Sequence, residues 1–87
     1  RGARVGEQHR KIRPQGARRV GENHLAFDML GEDGSRLRAI AFRVADGPEG
    51  EAVARGVPLH IAGRLRADTW RGKGAVQIEV ADIAVAD

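Results

Sequence analysis

The chain has 87 residues, of which 41% are hydrophobic and 31% charged, a composition typical of one small folded domain. The absence of cysteine excludes disulfides and thiolate metal sites, and no apolar run approaches the ~20 residues of a membrane span. The formal charge is +3, but residues 1–16 hold five Arg/Lys against one Glu. Residues 17–87 hold ten against eleven acidic residues, so net charge alone does not indicate a nucleic-acid partner.

Residues 1–16 show little apolar periodicity and end in Pro14-Gln15-Gly16, which predicts a boundary. We interpret them as a basic arm, mobile or loosely attached, and residues 17–87 as the folded domain. The hexapeptide RVGEQH at 4–9 nearly recurs as RVGENH at 19–24, and both a duplicated hairpin corner and chance explain this equally well. No apolar stretch follows the basic amino terminus as a signal peptide requires, so we expect a cytoplasmic location without a membrane partner.

Three strands are predicted in the first half of the domain. A short strand at about 17–21 meets a tight turn at Glu22-Asn23, and the next strand, about 24–30, alternates Leu25, Phe27 and Met29 on one face. A turn cluster at 31–35 precedes a third strand at 36–44. Its two faces both carry apolar residues, which suits a central strand (Leu37, Ala39 and Ala41 on one face; Ile40, Phe42 and Val44 on the other).

One helix and two strands follow. Pro48 near its start and Gly56 at its end predict a short helix. Alternation predicts a strand over 58–68 and another over 74–85, with a bulge near Ala81-Asp82 where the apolar phase shifts. The residues predicted to face inward are Leu59, Ile61, Gly63 and Leu65 on the fourth strand and Val76, Ile78 and Val80 on the fifth.

This order of elements predicts an all-β fold: a five-stranded, Greek-key OB-fold barrel with one short helix between strands three and four. Gly63 within the fourth strand supports it, because a small barrel needs a kink where a strand curves. An SH3-like or other small barrel is the main alternative.

An OB fold binds oligonucleotides across strands two and three, between the loops joining strands one to two and four to five. The second loop contains Trp70, Arg71 and Lys73, which offer a ring for base stacking and charges for phosphates. The first loop contains Asn23 and His24. The alternative for Trp70 is that it covers an open end of the barrel.

Further candidate DNA-binding residues are paired arginines on single strand faces, Arg36 with Arg38 and Arg64 with Arg66, whose alternative is a solvated face. The histidines at 9, 24 and 60 lack metal-ligand spacing, and Ser35 and Thr69, the only hydroxyl residues, lie in no nucleophile motif. We therefore expect no catalytic residue, metal or cofactor within these residues.

Three segments resemble the OB domain of bacterial RecJ, the single-strand-specific 5′-to-3′ exonuclease of the DHH phosphoesterase superfamily. They are VGENHLAFDML, RLRAIAFR and PLHIAGRLRADTWRGKGAVQIEVADIA, which follow in the family's order over roughly residues 19–86. Residues 1–16 match nothing in that pattern. The resemblance carries over the corner Asn23-His24, the turn at 70–73 and the basic strand positions.

The resemblance implies a parent enzyme that hydrolyses single-stranded DNA in repair and recombination with manganese or magnesium, through catalytic motifs lying outside these residues. Its implied partners are single-stranded DNA and the catalytic domains of the same chain. The alternative is a structural module that packs against those domains or another protein without touching DNA.

Overall fold

The computed structural model describes residues 7–67 and 75–86, with side chains from residue 9 onward. The strands are β1 (Glu7–Val20), β2 (His24–Gly31), β3 (Arg36–Ala41), β4 (Leu59–Ala67) and β5 (Val76–Val85), and the helix is α1 (Pro48–Arg55) between β3 and β4. The strands close into a barrel in the order β1-β2-β3-β5-β4, and β1 pairs with β4 to complete it. This arrangement confirms the predicted all-β OB fold.

The first strand is longer than the sequence predicted. β1 runs from Glu7 to Val20 through the expected boundary at residue 16, and its first half pairs with β4 while its second half pairs with β2. This corrects the predicted strand at 17–21 and assigns residues 7–16 to the barrel instead of to an arm. The pattern was obscured because charged residues surround Ile12, and because Gly16, with a φ of 66°, lies in a bulge in the pairing with β2. The predicted arm now concerns residues 1–6 alone, which lie outside the described residues.

The core fills the barrel with aliphatic side chains around Phe27, as the scarcity of aromatic residues requires. The predicted alternation of β2 is confirmed, since Leu25, Phe27 and Met29 are all buried. On β3 the buried face is the one that carries Ala39 and Ala41. The rest of the core is Ile12, Ala52, Val53, Leu59, Ile61 and Ile78.

Two residues predicted to face inward are exposed. Leu65 and Val76 lie near the ends of β4 and β5, where the two strands approach residues 68–74. The phase of the alternation is correct for both, but the position along the barrel decides burial. Phe42 is also exposed, because β3 ends one residue before it.

The predicted helix and bulge are confirmed. Gly47 precedes α1, Pro48 occupies its first turn, and Gly56 ends it in the left-handed region with a φ of 74°. The pairing of β4 with β5 shifts register between Ala62 and Gly63, opposite Ala81. A Cβ on Gly63 would lie 2.4 Å from the carbonyl oxygen of Glu79, so the close approach of the two backbones at this bend requires glycine.

Candidate nucleic-acid interface

The strand registers arrange the predicted arginines in rows on the outside of the barrel. Arg38 lies opposite Asp28 on one side and Gln77 on the other, and Gln77 lies opposite Arg66. One row therefore crosses β2, β3, β5 and β4. Arg64 belongs to the next row, in which it faces Glu79. The four strand arginines predicted from the sequence thus share one continuous outer surface.

The structure adds two arginines that the sequence analysis did not select. Arg13 pairs with Leu30, which pairs with Arg36. Arg18 pairs with Ala26 two rows further on, in the row that contains Arg64. Both were missed because they belong to the stretch of β1 that shows no apolar alternation. We call the surface formed by the six arginines the arginine face (Arg13, Arg18, Arg36, Arg38, Arg64 and Arg66).

Ion pairs divide the arginine face into two groups. Arg38 Nε lies 3.1 Å from Asp28 Oδ1, and Arg66 NH1 lies 2.5 Å from Glu79 Oε1. Arg36 donates to the neutral Gln15 Oε1 at 3.2 Å. The remaining three (Arg13, Arg18 and Arg64) form no ion pair with the residues that the structure describes.

The predicted loop residues Asn23 and His24 do not form a free loop. The carbonyl oxygen of Asn23 accepts from the N–H of Ala45 at 2.8 Å, and His24 Nδ1 accepts from the N–H of Arg43 at 2.9 Å. The neutral His24 ring therefore carries its proton on Nε2. These bonds join the β1–β2 corner to the segment between β3 and α1.

A third contact closes this corner. Arg19 NH2 lies 2.5 Å from Asp46 Oδ1, and NH1 donates to the carbonyl oxygen of Glu22. The hydrogen bond and the charge of Arg19 lower the pKa of Asp46 below its ordinary value, and the same contact raises the pKa of Arg19.

Comparison with known families decides the identity of the barrel. The family model described as the RecJ OB domain matches residues 8–82. The chain belongs to the RecJ OB-domain family. The resemblance noted in the sequence is thereby confirmed, and the match begins within the part of β1 that had been interpreted as an arm. No curated protein and no solved structure matches this chain.

The loop between β4 and β5 of this RecJ OB domain, which the sequence analysis predicted to bind DNA, lies outside the described residues. It contains Trp70, Arg71 and Lys73, so the structure neither supports nor opposes their predicted roles. Its flanking residues are described: Ala67 and Val76 lie opposite each other, beside the Arg66–Gln77 pair of the arginine face.

The described part of the RecJ OB domain contains neither a candidate metal centre nor a helix that could span a membrane. Across residues 9–67 and 75–86, no three His, Cys, Asp or Glu side chains are grouped so that they could hold a metal ion. No helix among the described residues is long and apolar enough to cross a membrane.

The Arg19–Asp46 contact leads to a prediction on pH. Because the pKa of Asp46 is lowered in the folded state, the contact stabilises the fold above the unfolded pKa of aspartate and is lost as the pH falls through the folded pKa. We expect the Asp46 carboxyl to titrate by NMR below its ordinary range, and to return toward that range in Arg19→Gln. An unchanged midpoint in Arg19→Gln would show that Arg19 does not perturb Asp46. Asp33 is the matched control, because the hydrogen bond from Ser35 that lowers the pKa of Asp33 is unaltered in that variant.

Proposed function

We propose that this RecJ OB domain binds single-stranded DNA across its arginine face, as a non-catalytic module of a RecJ-like exonuclease that degrades DNA from 5′ to 3′ in repair and recombination. The observation that carries the proposal is the alignment of six arginines on one outer surface that crosses all five strands. OB folds bind oligonucleotides across strands two and three, and Arg36 and Arg38 lie on β3.

The charge of the arginine face supports a polyanionic ligand. The rows contain six arginines and three acidic residues, Asp28, Glu79 and Glu7, of which Glu7 is paired with Arg64 across β1 and β4. From the start of β1 onward, residues 7–87 hold thirteen Arg/Lys against twelve Asp/Glu and are close to neutral, so this excess is a local property of the outer surface. Arginines without an acidic partner can neutralise phosphates without first breaking an ion pair.

The two ion pairs on the arginine face hold Arg38 and Arg66 in fixed positions. Arg38 and Arg66 are each held by a carboxylate on a neighbouring strand, which fixes the guanidinium group before a ligand arrives. Arg64, Leu65, Arg66 and Glu79 line a depression of about 430 Å³. Groups held in advance lose less conformational entropy on binding.

The segment between β4 and β5 extends the proposed site. Trp70 would stack a base, and Arg71 and Lys73 would contact phosphates. The described residues that flank this segment, Ala67 and Val76, are paired next to the Arg66–Gln77 pair. A tryptophan that covers the barrel end remains the alternative for Trp70.

The chemistry of the parent enzyme belongs to other domains of the same chain. Phosphodiester hydrolysis with manganese or magnesium would take place on those catalytic domains, which are the second proposed partner. The parent would act on DNA in the cytoplasm.

Arg64→Gln tests the proposal most directly, because Arg64 forms no ion pair with the described residues. We expect affinity for a fluorescent single-stranded oligonucleotide to fall about twofold to fivefold. The slope of log affinity against log salt should decrease by about 0.7, the value for one phosphate contact on a single strand. Arg55→Gln removes the same charge from the exposed end of α1, outside the arginine face, and should change neither quantity.

If Arg64→Gln and Arg55→Gln weaken binding equally, the arginine face is not a specific DNA-binding surface, and its arginines act only through the net charge of the domain. Absence of binding by the unaltered chain would overturn the proposal and favour the second candidate, a structural module that packs against the catalytic domains. The observation that favours this second candidate is the set of exposed large apolar residues (Val20, Phe42, Leu65, Val76 and Val85).

A further inference from the structure

One end of the arginine face carries an exposed aromatic group that the proposed phosphate contacts do not use. Phe42 remains 45% exposed, although it is one of only two phenylalanines in the chain. Its ring centroid lies 5.0 Å from that of His24, and the two planes meet at 77°. Val20, also exposed, is paired with His24 across β1 and β2. We call these three residues the aromatic corner.

The backbone holds the aromatic corner in place. Arg43 adopts a left-handed φ of 65°, which is uncommon for a residue other than glycine, and its N–H donates to His24 Nδ1. The neighbouring Ala45 N–H donates to the Asn23 carbonyl oxygen. The position of the His24 ring, and through it the edge-to-face contact with Phe42, is therefore set by hydrogen bonds formed before any ligand binds.

The geometry leaves ring surface available. In an edge-to-face contact, one ring presents its edge and the other presents one of its two faces. At least one face of Phe42 is thus not covered by His24, and the residue is 45% exposed. A stacked base needs only one such face, because every base has a π surface.

The position of the corner suits a strand that crosses the arginine face. Phe42 follows β3 four residues after Arg38, about 13 Å along an extended chain. Arg18 precedes Val20 by two residues on the same side of β1, and Arg43 follows Phe42. Both are exposed, and neither forms an ion pair with a described residue. Cations near a stacked nucleotide can contact its phosphates.

Two acidic residues near Phe42 disfavour phosphate groups on one part of the surface. Phe42 and Arg43 also border a groove of about 270 Å³ whose lining includes the carboxylates Glu49 and Asp82. Their charges repel phosphates, so a nucleic acid at Phe42 is directed toward Arg18 and the arginine face.

We propose that Phe42, supported by His24, is a base-stacking platform for single-stranded nucleic acid at the β1–β2 end of the arginine face. This inference rests on the proposed function. It adds a residue that contacts a base by stacking, whereas the arginines contact phosphates. The platform is distinct from Trp70, which belongs to the segment between β4 and β5.

The test compares two single strands of about 15 nucleotides, a length that covers the site size of an OB fold: oligothymidylate and a fully abasic strand with the same number of phosphates. We expect Phe42→Ala to weaken binding of oligothymidylate about tenfold, which corresponds to about 1.4 kcal/mol of lost stacking. Its affinity for the abasic strand and its salt slope should stay unchanged. Phe42→Trp should bind both strands like the unaltered chain.

Two variants serve as controls. Phe42→Leu keeps an apolar side chain without a π face and should lose binding as the alanine variant does. Val85→Ala truncates another exposed apolar residue, outside the arginine face, and should have no effect. Thermal unfolding of each variant identifies any that fail to fold, and Phe42→Leu still tests the inference if Phe42→Ala does so.

The outcomes separate this inference from the proposed function. If Arg64→Gln weakens binding and none of the Phe42 variants does, the platform is wrong and the arginine face stands. An equal loss on both strands in Phe42→Ala would also overturn the platform, because an abasic strand has nothing to stack. If the unaltered chain binds neither strand, the proposed function is wrong and the platform with it. The exposed Phe42 ring is then assigned to a protein contact.

Discussion

Phe27→Ala is expected to lower the free energy of unfolding by about 3–5 kcal/mol, the usual cost of truncating a fully buried phenylalanine. Phe27 is 1% exposed and is the largest fully buried side chain among the described residues. The neighbouring core residues are aliphatic or alanine, so no other aromatic side chain can fill the space. Since a domain of this size is stabilised by only about 5–15 kcal/mol, the variant should be close to unfolding at room temperature.

Urea denaturation measures this effect, with an m-value close to that of the unaltered chain if unfolding remains two-state. The melting temperature should fall by roughly 15 °C or more. Phe42→Ala is the matched control, because the same side chain is removed from a half-exposed position and should cost far less. Similar losses in the two variants would show that Phe27 is not the centre of the core.

Gly50→Ala should destabilise the domain, although the same change in an isolated helix would stabilise it. Glycine within a helix costs about 1 kcal/mol relative to alanine. In the folded domain, however, a Cβ on Gly50 would lie 2.2 Å from the carbonyl oxygen of Val44 and 2.7 Å from that of Ala45. Backbone atoms cannot move aside as a side chain can, so we expect a net loss of roughly 1–3 kcal/mol from overpacking.

Ala54→Gly on the exposed face of α1 is the control for helix propensity alone, and should cost about 1 kcal/mol. Denaturation of both variants gives the sign of the effect at residue 50. A stabilised Gly50→Ala variant would mean that α1 does not approach residues 44–45 as closely as the structure describes.

The candidate site was only partly predictable from the sequence. Alternation along a strand identifies residues that share a face, so Arg36 with Arg38 and Arg64 with Arg66 were found as pairs. The register between strands brings the two pairs onto one surface, and no local pattern encodes it. Arg13 and Arg18 were missed because β1 has few apolar residues to reveal its period. The exposure of Phe42 was missed because β3 was expected to continue beyond it.

The sequence by itself determined the order of the elements, the inward face of β2, the limits of α1, the bulge near Ala81 and the family of the chain. These features depend on side-chain periodicity and on glycine and proline, whose backbone preferences act over a few residues. Only the tertiary structure decided that residues 7–16 complete the barrel, that Leu65 and Val76 are exposed, and that Arg38 and Arg66 are neutralised by Asp28 and Glu79. These features depend on contacts between residues far apart in the chain, because barrel closure sets which strand ends are covered and which charges become neighbours.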